Sequence, residues 1–387
     1  MSISLDEHYL VSTIQKLVQI NSVNPDLAPG APAEAEIGRY VAGCLRELGL
    51  EPTSHDLGHN RVNVVATLAG TGGGRSLMLN AHLDTVDISG MAEPFSGAVR
   101  DGRVYGRGSF DMKASAAAQL AVTKALLDDG IELAGDLILT FVADEEYASI
   151  GTEHIAQHYQ ADGAIVTEPT ELQVCTVHRG FVWYEIVTTG LAAHGSRYME
   201  GIDANSHMGR VLVELEKLSQ ELLNRPEHPL VGHPSLHAAQ IQGGNGISTY
   251  AERCVLKVER RLAPGETEAS ATAEIQAILD RLSAADPRFK ATVTPFFTRL
   301  PFETADDSPL VQASDAAIEA RLGAAKPHMG MLGWTDAAVL ADAGMEAILL
   351  GPSGDGAHAA VEWVDIASTV DLCHILADII INYCGTK

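Results

Sequence analysis

Positive charge is scarce in this sequence relative to negative. Its 387 residues carry 26 Lys and Arg against 51 Asp and Glu, a formal net charge of −25. Nucleic-acid binding needs a basic footprint, so that class is excluded. Only five cysteines occur (Cys44, Cys175, Cys254, Cys373, Cys384), scattered and without CxxC spacing. They support neither a disulfide framework nor a thiolate zinc site. The start, Met1-Ser2-Ile3-Ser4-Leu5-Asp6-Glu7, lacks a basic region followed by an apolar one, so no signal peptide is expected. No apolar run approaches membrane-span length. These absences lead us to expect a soluble, cytoplasmic protein with no nucleic-acid or membrane partner. A solvated acidic surface explains most of the charge excess, and cationic or metal partners suit it.

What is present is ample for a core: 46% of residues are hydrophobic, and the length suggests two to three domains. Apolar residues at helical spacing predict helices over 6–20 and 34–48. Strands are expected at 62–69 and 76–83. Between them Gly70-Thr71-Gly72-Gly73-Gly74 lacks the lysine of a phosphate loop and reads as a hairpin turn. A helix over 114–127, a strand over 136–143, a helix over 151–159 and a strand over 163–166 follow. Strands that are apolar throughout and alternate with helices imply a mostly parallel sheet sandwiched by helices. The pattern changes near residue 180. Strands at 181–189, 237–242, 253–261 and 291–295, with helices at 203–223 and 268–282, make an α+β unit. The first style returns with helices at 309–321 and 335–343, a strand at 346–350 and a last helix at 366–383. The expected organisation is an α/β domain over 1–179 and 297–387, interrupted by an inserted domain over 180–296.

In parallel sheets functional groups gather at the carboxyl ends of strands. His82, Glu145, Glu146 and Glu168 fall there. His82 and Asp84 are two apart at a strand end and can face one side, as a metal ligand and its orienting carboxylate do; a plain surface pair is the simpler account of His-x-Asp alone. Asp111 sits in Gly106-Arg107-Gly108-Ser109-Phe110-Asp111-Met112-Lys113, before an alanine-rich helix. A helix cap and a metal-bridging carboxylate both fit that position. Glu145 and Glu146 are neighbours on an extended chain, so they point apart: one suits metal binding, the other proton transfer. Glu168 is held out of helical geometry by Pro169. His358 lies in a glycine-rich loop, where surface histidines are common.

Taken together, His82-Leu83-Asp84-Thr85-Val86, the 106–113 segment, Asp144-Glu145-Glu146, Glu168-Pro169-Thr170 and Gly356-Ala357-His358 resemble, in order and spacing, the metal-dependent aminoacylase and carboxypeptidase family of acetylornithine deacetylase and succinyl-diaminopimelate desuccinylase. The resemblance covers nearly the whole chain. It implies two divalent metal ions, zinc first, with cobalt or manganese also accepted. His82, Asp111 and Glu168 would hold one, Asp111, Glu146 and His358 the other. It assigns Asp84 to orienting His82, Glu145 to the general base, and a cis peptide to Asp111–Met112. The ions' +4 against the −3 of Asp111, Glu146 and Glu168 leaves a net charge to polarise a carbonyl and acidify a water.

The inserted domain carries two further matches to the family's lid. Gly190-Leu191-Ala192-Ala193-His194-Gly195-Ser196 matches a segment whose histidine reaches a facing subunit, which implies a homodimer with His194 as an oxyanion donor. Arg261 in Arg261-Leu262-Ala263-Pro264-Gly265 matches the arginine that takes the substrate carboxylate, with Arg260 as competitor. The chain departs after Gly243-Gly244, where either Asn245 or Ser248 stands for the family's asparagine. The expected activity is removal of an acyl group from an N-acyl-L-amino acid or peptide, acetylornithine deacetylase-like. Desuccinylase and di- or carboxypeptidase activities share every metal ligand, and a catalytically silent metal-binding relative is a further alternative.

Overall fold

The computed structural model describes residues 3–387 and separates into two compact units. The first comprises the described residues through Thr176 together with Thr304–Met329 and Thr335–Lys387; the second is Val177–Glu303 with Gly330–Trp334. The inserted stretch thus begins three residues earlier than the composition suggests and ends seven later. Phe302 and Glu303 extend it by pairing with His178 and Val177.

In the first unit the strands lie side by side in the order Thr53–Gly58, Arg61–Leu68, Leu137–Val142, Leu77–His82, Gly163–Val166 and Glu346–Leu349. Leu77–His82 runs parallel to both its neighbours, and Gly163–Val166 is parallel to Glu346–Leu349. The first two strands are antiparallel additions at one edge. The central strands are buried along their whole length, as expected for a sheet covered on both faces. All five cysteines are buried free thiols.

Three expectations are corrected here. The Gly70–Gly74 segment is not a hairpin turn, because Leu137–Val142 lies between the two strands it joins. The glycines let the chain run against the backbone of residues 133–135: Thr71 and Gly72 donate to the Leu133 and Ala134 carbonyls. A Cβ on Gly74 would sit 1.9 Å from the Cys384 carbonyl oxygen. The hairpin of this edge is instead Thr53–Gly58 with Arg61–Leu68, turning through His59 and Asn60, both at positive φ. Second, Ile366–Cys384 is long and apolar enough by composition to span a membrane. Two thirds of its apolar window is buried inside the protein, and its buried side chains join the core with Ala114–Asp128 and Pro309–Leu322. Third, a small antiparallel sheet of Ala98–Arg100, Arg103–Tyr105, Trp363–Asp365 and Gly354–Asp355 was not foreseen, its strands being only two or three residues long.

The second unit is a four-stranded antiparallel sheet in the order Ser235–Gly243, Arg253–Leu262, Gly180–Thr189, Lys290–Arg299. Helices Ala204–Leu222 and Glu268–Ala285 supply the rest of its core, where Cys254, Leu256, Val258 and Leu262 alternate inward. The second helix starts at a capping box between Thr267 and Ser270.

In the first unit, Asn63 ties a strand end to the helix that follows. Its amide donates to the Gly151 carbonyl at 2.8 Å and its oxygen accepts from Ala143 N at 3.0 Å. The close approach depends on Gly151, where a Cβ would lie 2.3 Å from the Ala143 carbonyl oxygen. We expect Gly151→Ala to lose about 1–3 kcal/mol through the forced backbone shift, read as a lower urea midpoint; an unchanged midpoint would show that the helix start can move freely.

Candidate metal centre

His82 closes the central strand Leu77–His82. Its Nδ1 lies 3.0 Å from the Asp84 backbone carbonyl and must donate there. Nε2 faces Asp111 Oδ1 at 3.1 Å and Glu168 Oε1 at 3.6 Å, so without an ion it carries a proton towards them and in the neutral ring it is the nitrogen left to bind a metal. The Asp84 carboxylate was expected to orient the ring, but at 3.6 Å from Nδ1 it lies outside hydrogen-bonding range. Fully buried, it instead accepts from the backbone N–H of Glu145 at 3.1 Å and of Glu146 at 3.2 Å. The residue that follows the histidine by two therefore does both jobs, with its carbonyl and its side chain.

Asp111 divides its two oxygens: Oδ1 faces His82, while Oδ2 lies 3.3 Å from His358 Nε2. His358 Nε2 is also 3.1 Å from Glu146 Oε2. The peptide after Asp111 is cis. The segment is clamped by buried Glu362, which accepts from the N–H groups of Gly108, Phe110 and Asp111 and from Arg107 Nη1 at 2.6 Å. Nothing in the sequence pattern pointed to Glu362; the small sheet that carries it to this place was itself unforeseen.

Glu145 and Glu146 fall into two different groupings around His82, and the chain that carries them is not extended. Asp144 takes a positive φ of 68° and opens a turn whose Tyr147, Ala148 and Ser149 N–H groups return to the Asp144 carbonyl. Glu145 gathers with His82 and Glu168, and Glu146 with His82 and Asp111, ligand atoms in each set lying within 4.8 Å of one another. The turn is fastened from behind. Asn24 Nδ2 donates to Asp84 Oδ2 at 2.8 Å and to Asp144 Oδ1 at 2.9 Å. Arg61 reaches Asp144 at 2.9 Å, Glu34 at 2.7 Å, Asp26 at 2.6 Å and the Asn24 oxygen at 2.7 Å. Asp336 stands at the head of the helix expected over 335–343, where no sequence signal marks it as part of the cluster. It is buried, accepts from Thr152 Oγ1 at 2.6 Å and leaves Oδ1 without a partner. Burial pushes it up to about 6.

The electrostatics identify what the cluster lacks. Burial, followed by the charge of Glu168, raises Glu145 well above the usual carboxylate range. Burial with Asp111 raises Glu146, and burial dominates at Glu168. Burial opposes protonation of His82, yet Glu168 and Asp111 outweigh it and hold the ring cationic. His358 is raised to about 10 by its contacts with Asp111 and Glu146. Asp111 is itself held below its ordinary value, against burial, by hydrogen bonds from His358 and His82. Four carboxylates thus share two imidazolium protons. Mixed imidazole and carboxylate donors with an excess of negative charge fit divalent cations.

The lid residues lie in the second unit. His194, exposed, is carried on a loop whose backbone pairs with residues 248–250: Gly195 N donates to the Ser248 carbonyl and Tyr250 N to that of Ala193. Its Nδ1 accepts from Ser196 N at 3.2 Å, which leaves Nε2 to carry the N–H. Ser248 is therefore brought beside His194, and Asn245 lies in the exposed bend before it. Strand alternation separates the two arginines. Arg260 is buried and bound to Glu266 at 2.6 Å and Glu274 at 3.3 Å. Arg261 is on the open face, 3.1 Å from Glu259 and 5.1 Å from the Phe181 ring centre.

The sequence profile of peptidase family M20/M25/M40 matches residues 78–382. The chain belongs to this family. N-formyl-4-amino-5-aminomethyl-2-methylpyrimidine deformylase of Bacillus subtilis is 29% identical over 93% of this chain and 92% of its own length. Acetylornithine deacetylase of Proteus mirabilis is 27% identical over 97% and 96%. Among solved structures, aminopeptidase PepT of Bacillus cereus shares the fold with a TM-score of 0.80 at 18% identity, covering 98% of this chain and 99% of that one. A dinuclear metal-binding M20 peptidase of Bacillus subtilis follows with 0.74 at 15%, covering 97% of each. This M20 chain is a hydrolase of amide bonds, with a metal-competent cluster at its strand ends.

Among the described residues, Arg61 is the cation that fastens the Glu145 turn from behind. Arg61→Met keeps the aliphatic stem but strands Glu34 and Asp144 in the interior, a loss of about 3–5 kcal/mol by analogy with broken buried pairs. We expect a lower urea midpoint and a fall in kcat of about tenfold or more. Native stability together with native turnover would show that the turn needs no such anchor.

Proposed function

We propose that the chain is a two-metal N-acyl-L-amino acid deacylase of the acetylornithine deacetylase kind. The observation that carries this reading is Asp111, whose two oxygens face two different histidines, each with its own glutamate. His82, Asp111 and Glu168 would hold one ion, and Asp111, Glu146 and His358 the other, zinc first. Such ions supply Lewis acidity and lower the pKa of a water from 15.7 to about 7. Glu145 accepts the proton of the attacking water on its carboxylate and delivers it to the leaving amine nitrogen. Asp84 holds Glu145 in place through its backbone N–H, and the Asp84 carbonyl fixes the His82 tautomer. No acyl-enzyme is required. His194 Nε2–H is suited to donate to the developing oxyanion, in a homodimer from the facing copy. Arg261 would take the substrate carboxylate, with Asn245 or Ser248 as a polar contact. The −25 net charge favours a cationic side chain such as that of ornithine.

A second reading rests on the same lid. Arg261 is already paired with Glu259 and lies against Phe181, and Trp183 lies 5.3 Å from Phe181. That surface suits an aromatic amine without a carboxylate, as the name of the Bacillus subtilis deformylase describes for its own substrate.

A turnover panel decides between them: N-acetylornithine, N-succinyl-diaminopimelate, dipeptides and the N-formyl aminopyrimidine, each with zinc, cobalt or manganese, before and after chelation. We expect chelator-sensitive turnover with N-acetylornithine favoured at least tenfold. Turnover of the formyl compound alone would select the second reading, and none with loaded metal would overturn both. Glu145→Gln should retain its metal and lose about 10²–10⁴ in kcat; full turnover in that variant would remove Glu145 as the base.

A further inference from the structure

Three histidines and a tyrosine meet away from the cluster just described. His154 and His158 are four residues apart on helix Ile150–His158 and therefore share a face. His55 comes from the edge strand Thr53–Gly58. The ring centres lie 4.8 Å apart for His55 and His154, 4.2 Å for His154 and His158, and 6.5 Å for His55 and His158. Three imidazoles bound through nitrogen to one ion at about 2.0–2.1 Å have ring centres about 5 Å apart. The His55–His154 and His154–His158 separations are near that spacing, whereas His55 and His158 are farther apart and must draw together about an ion.

The hydrogen bonds leave one ring nitrogen free on each. His158 Nδ1 lies 2.8 Å from the His154 carbonyl and must donate to it, so the lone pair is on Nε2. His55 Nε2 is 2.7 Å from the Tyr159 hydroxyl; when it donates there, Nδ1 carries the lone pair. His154 Nε2 is buried and has no hydrogen-bond partner among the described residues. A polar nitrogen shut off from water and left unpaired is destabilising, and a bound ion would remove that cost. Orientation of a ligating imidazole by a carbonyl or hydroxyl on its other nitrogen is the usual support of a histidine metal site.

We propose that His55, His154 and His158 form a third cation site, separate from the hydrolytic centre, for a borderline divalent metal such as Zn²⁺, Ni²⁺ or Cu²⁺. All-imidazole donors select those ions over Mg²⁺ or Ca²⁺. Burial, and then the neighbouring His158, lower His55 and His154, which keeps both rings neutral and ready to bind at neutral pH. His154 and His158 are stacked, with ring planes 25° apart. Closure about an ion therefore turns the exposed His158 off its neighbour, a rotation the surface leaves open. The site joins the edge hairpin to the helix that directly follows the Glu145 turn, so an occupying ion would pin those two elements together.

The test counts metal in the full-length enzyme. Wild type, His158→Gln and His55→Gln are equilibrated with the same micromolar free Zn²⁺, desalted, and measured for zinc per chain, hydrolytic rate and melting temperature. His158 is exposed, so its variant preserves the fold. The expected result is one zinc equivalent more in wild type than in either variant, with the hydrolytic rate unchanged and the zinc-induced rise in melting temperature reduced in both. Equal zinc content in wild type and both variants would overturn the proposal, whatever the hydrolytic activity proves to be.

Discussion

A shortage of positive charge around Asp111 is the constraint on which the rest of the structure depends. Asp111, Glu145, Glu146 and Glu168 converge at the ends of parallel strands, and among the described residues His82 and His358 face them with protons. The buried arginines nearby are committed elsewhere: Arg61 to Glu34 and Asp144, Arg107 to Glu362. They fasten the carboxylates from behind without neutralising them in front. Burying carboxylates against one another is costly unless a cation joins them. The scaffold keeps the deficit open, which is what a centre designed to receive divalent ions requires.

Much of the fastening is done by backbone groups. Asp84 grips the turn by two N–H groups and aims His82 by its own carbonyl; Glu362 grips the Asp111 segment by three. Main-chain donors place the ligands without bringing any net charge into the cluster. Asn24 serves the same end, since an amide can bridge Asp84 and Asp144 without altering the balance.

What could be read from the amino-acid order follows the same physics. The apolar run 77–81 ending in His82, and the runs ending near Glu145 and Glu168, declare a buried parallel sheet and the groups at its carboxyl ends. The change of pattern at residue 180 declares a second unit. Contacts that depend on non-local register left no such trace. Leu137–Val142 slips between two strands adjacent in sequence, so the glycines of 70–74 looked like a turn. The 53–58 strand carries too few apolar residues to stand out, yet it brings His55 to the helix of His154. Glu362 and Arg61 read as ordinary surface charges until strands of three to eight residues carry them under the site. Arg260 and Arg261 differ by a single step of strand alternation, which decides that the first is buried against Glu266 and Glu274 and the second only half-buried on the open face.

The division of labour between the units bears on specificity. Every group of the charge-deficient cluster comes from the first unit, whereas His194, Ser248 and Arg261 come from the second. On the proposed reading, in which those three residues meet the substrate, the chemistry of amide hydrolysis can be held fixed while the substrate contacts drift. Relatives named for removing formyl and acetyl groups match this chain at nearly the same identity, 29% and 27%. Arg261 sits where such drift has the most effect. Paired with Glu259, its guanidinium is partly satisfied before any ligand arrives. A substrate carboxylate must then compete with Glu259 for a donor set able to hold two oxygens at once. Whether that competition is won turns on the one carboxylate at position 259, on the same open face and two residues away along the strand.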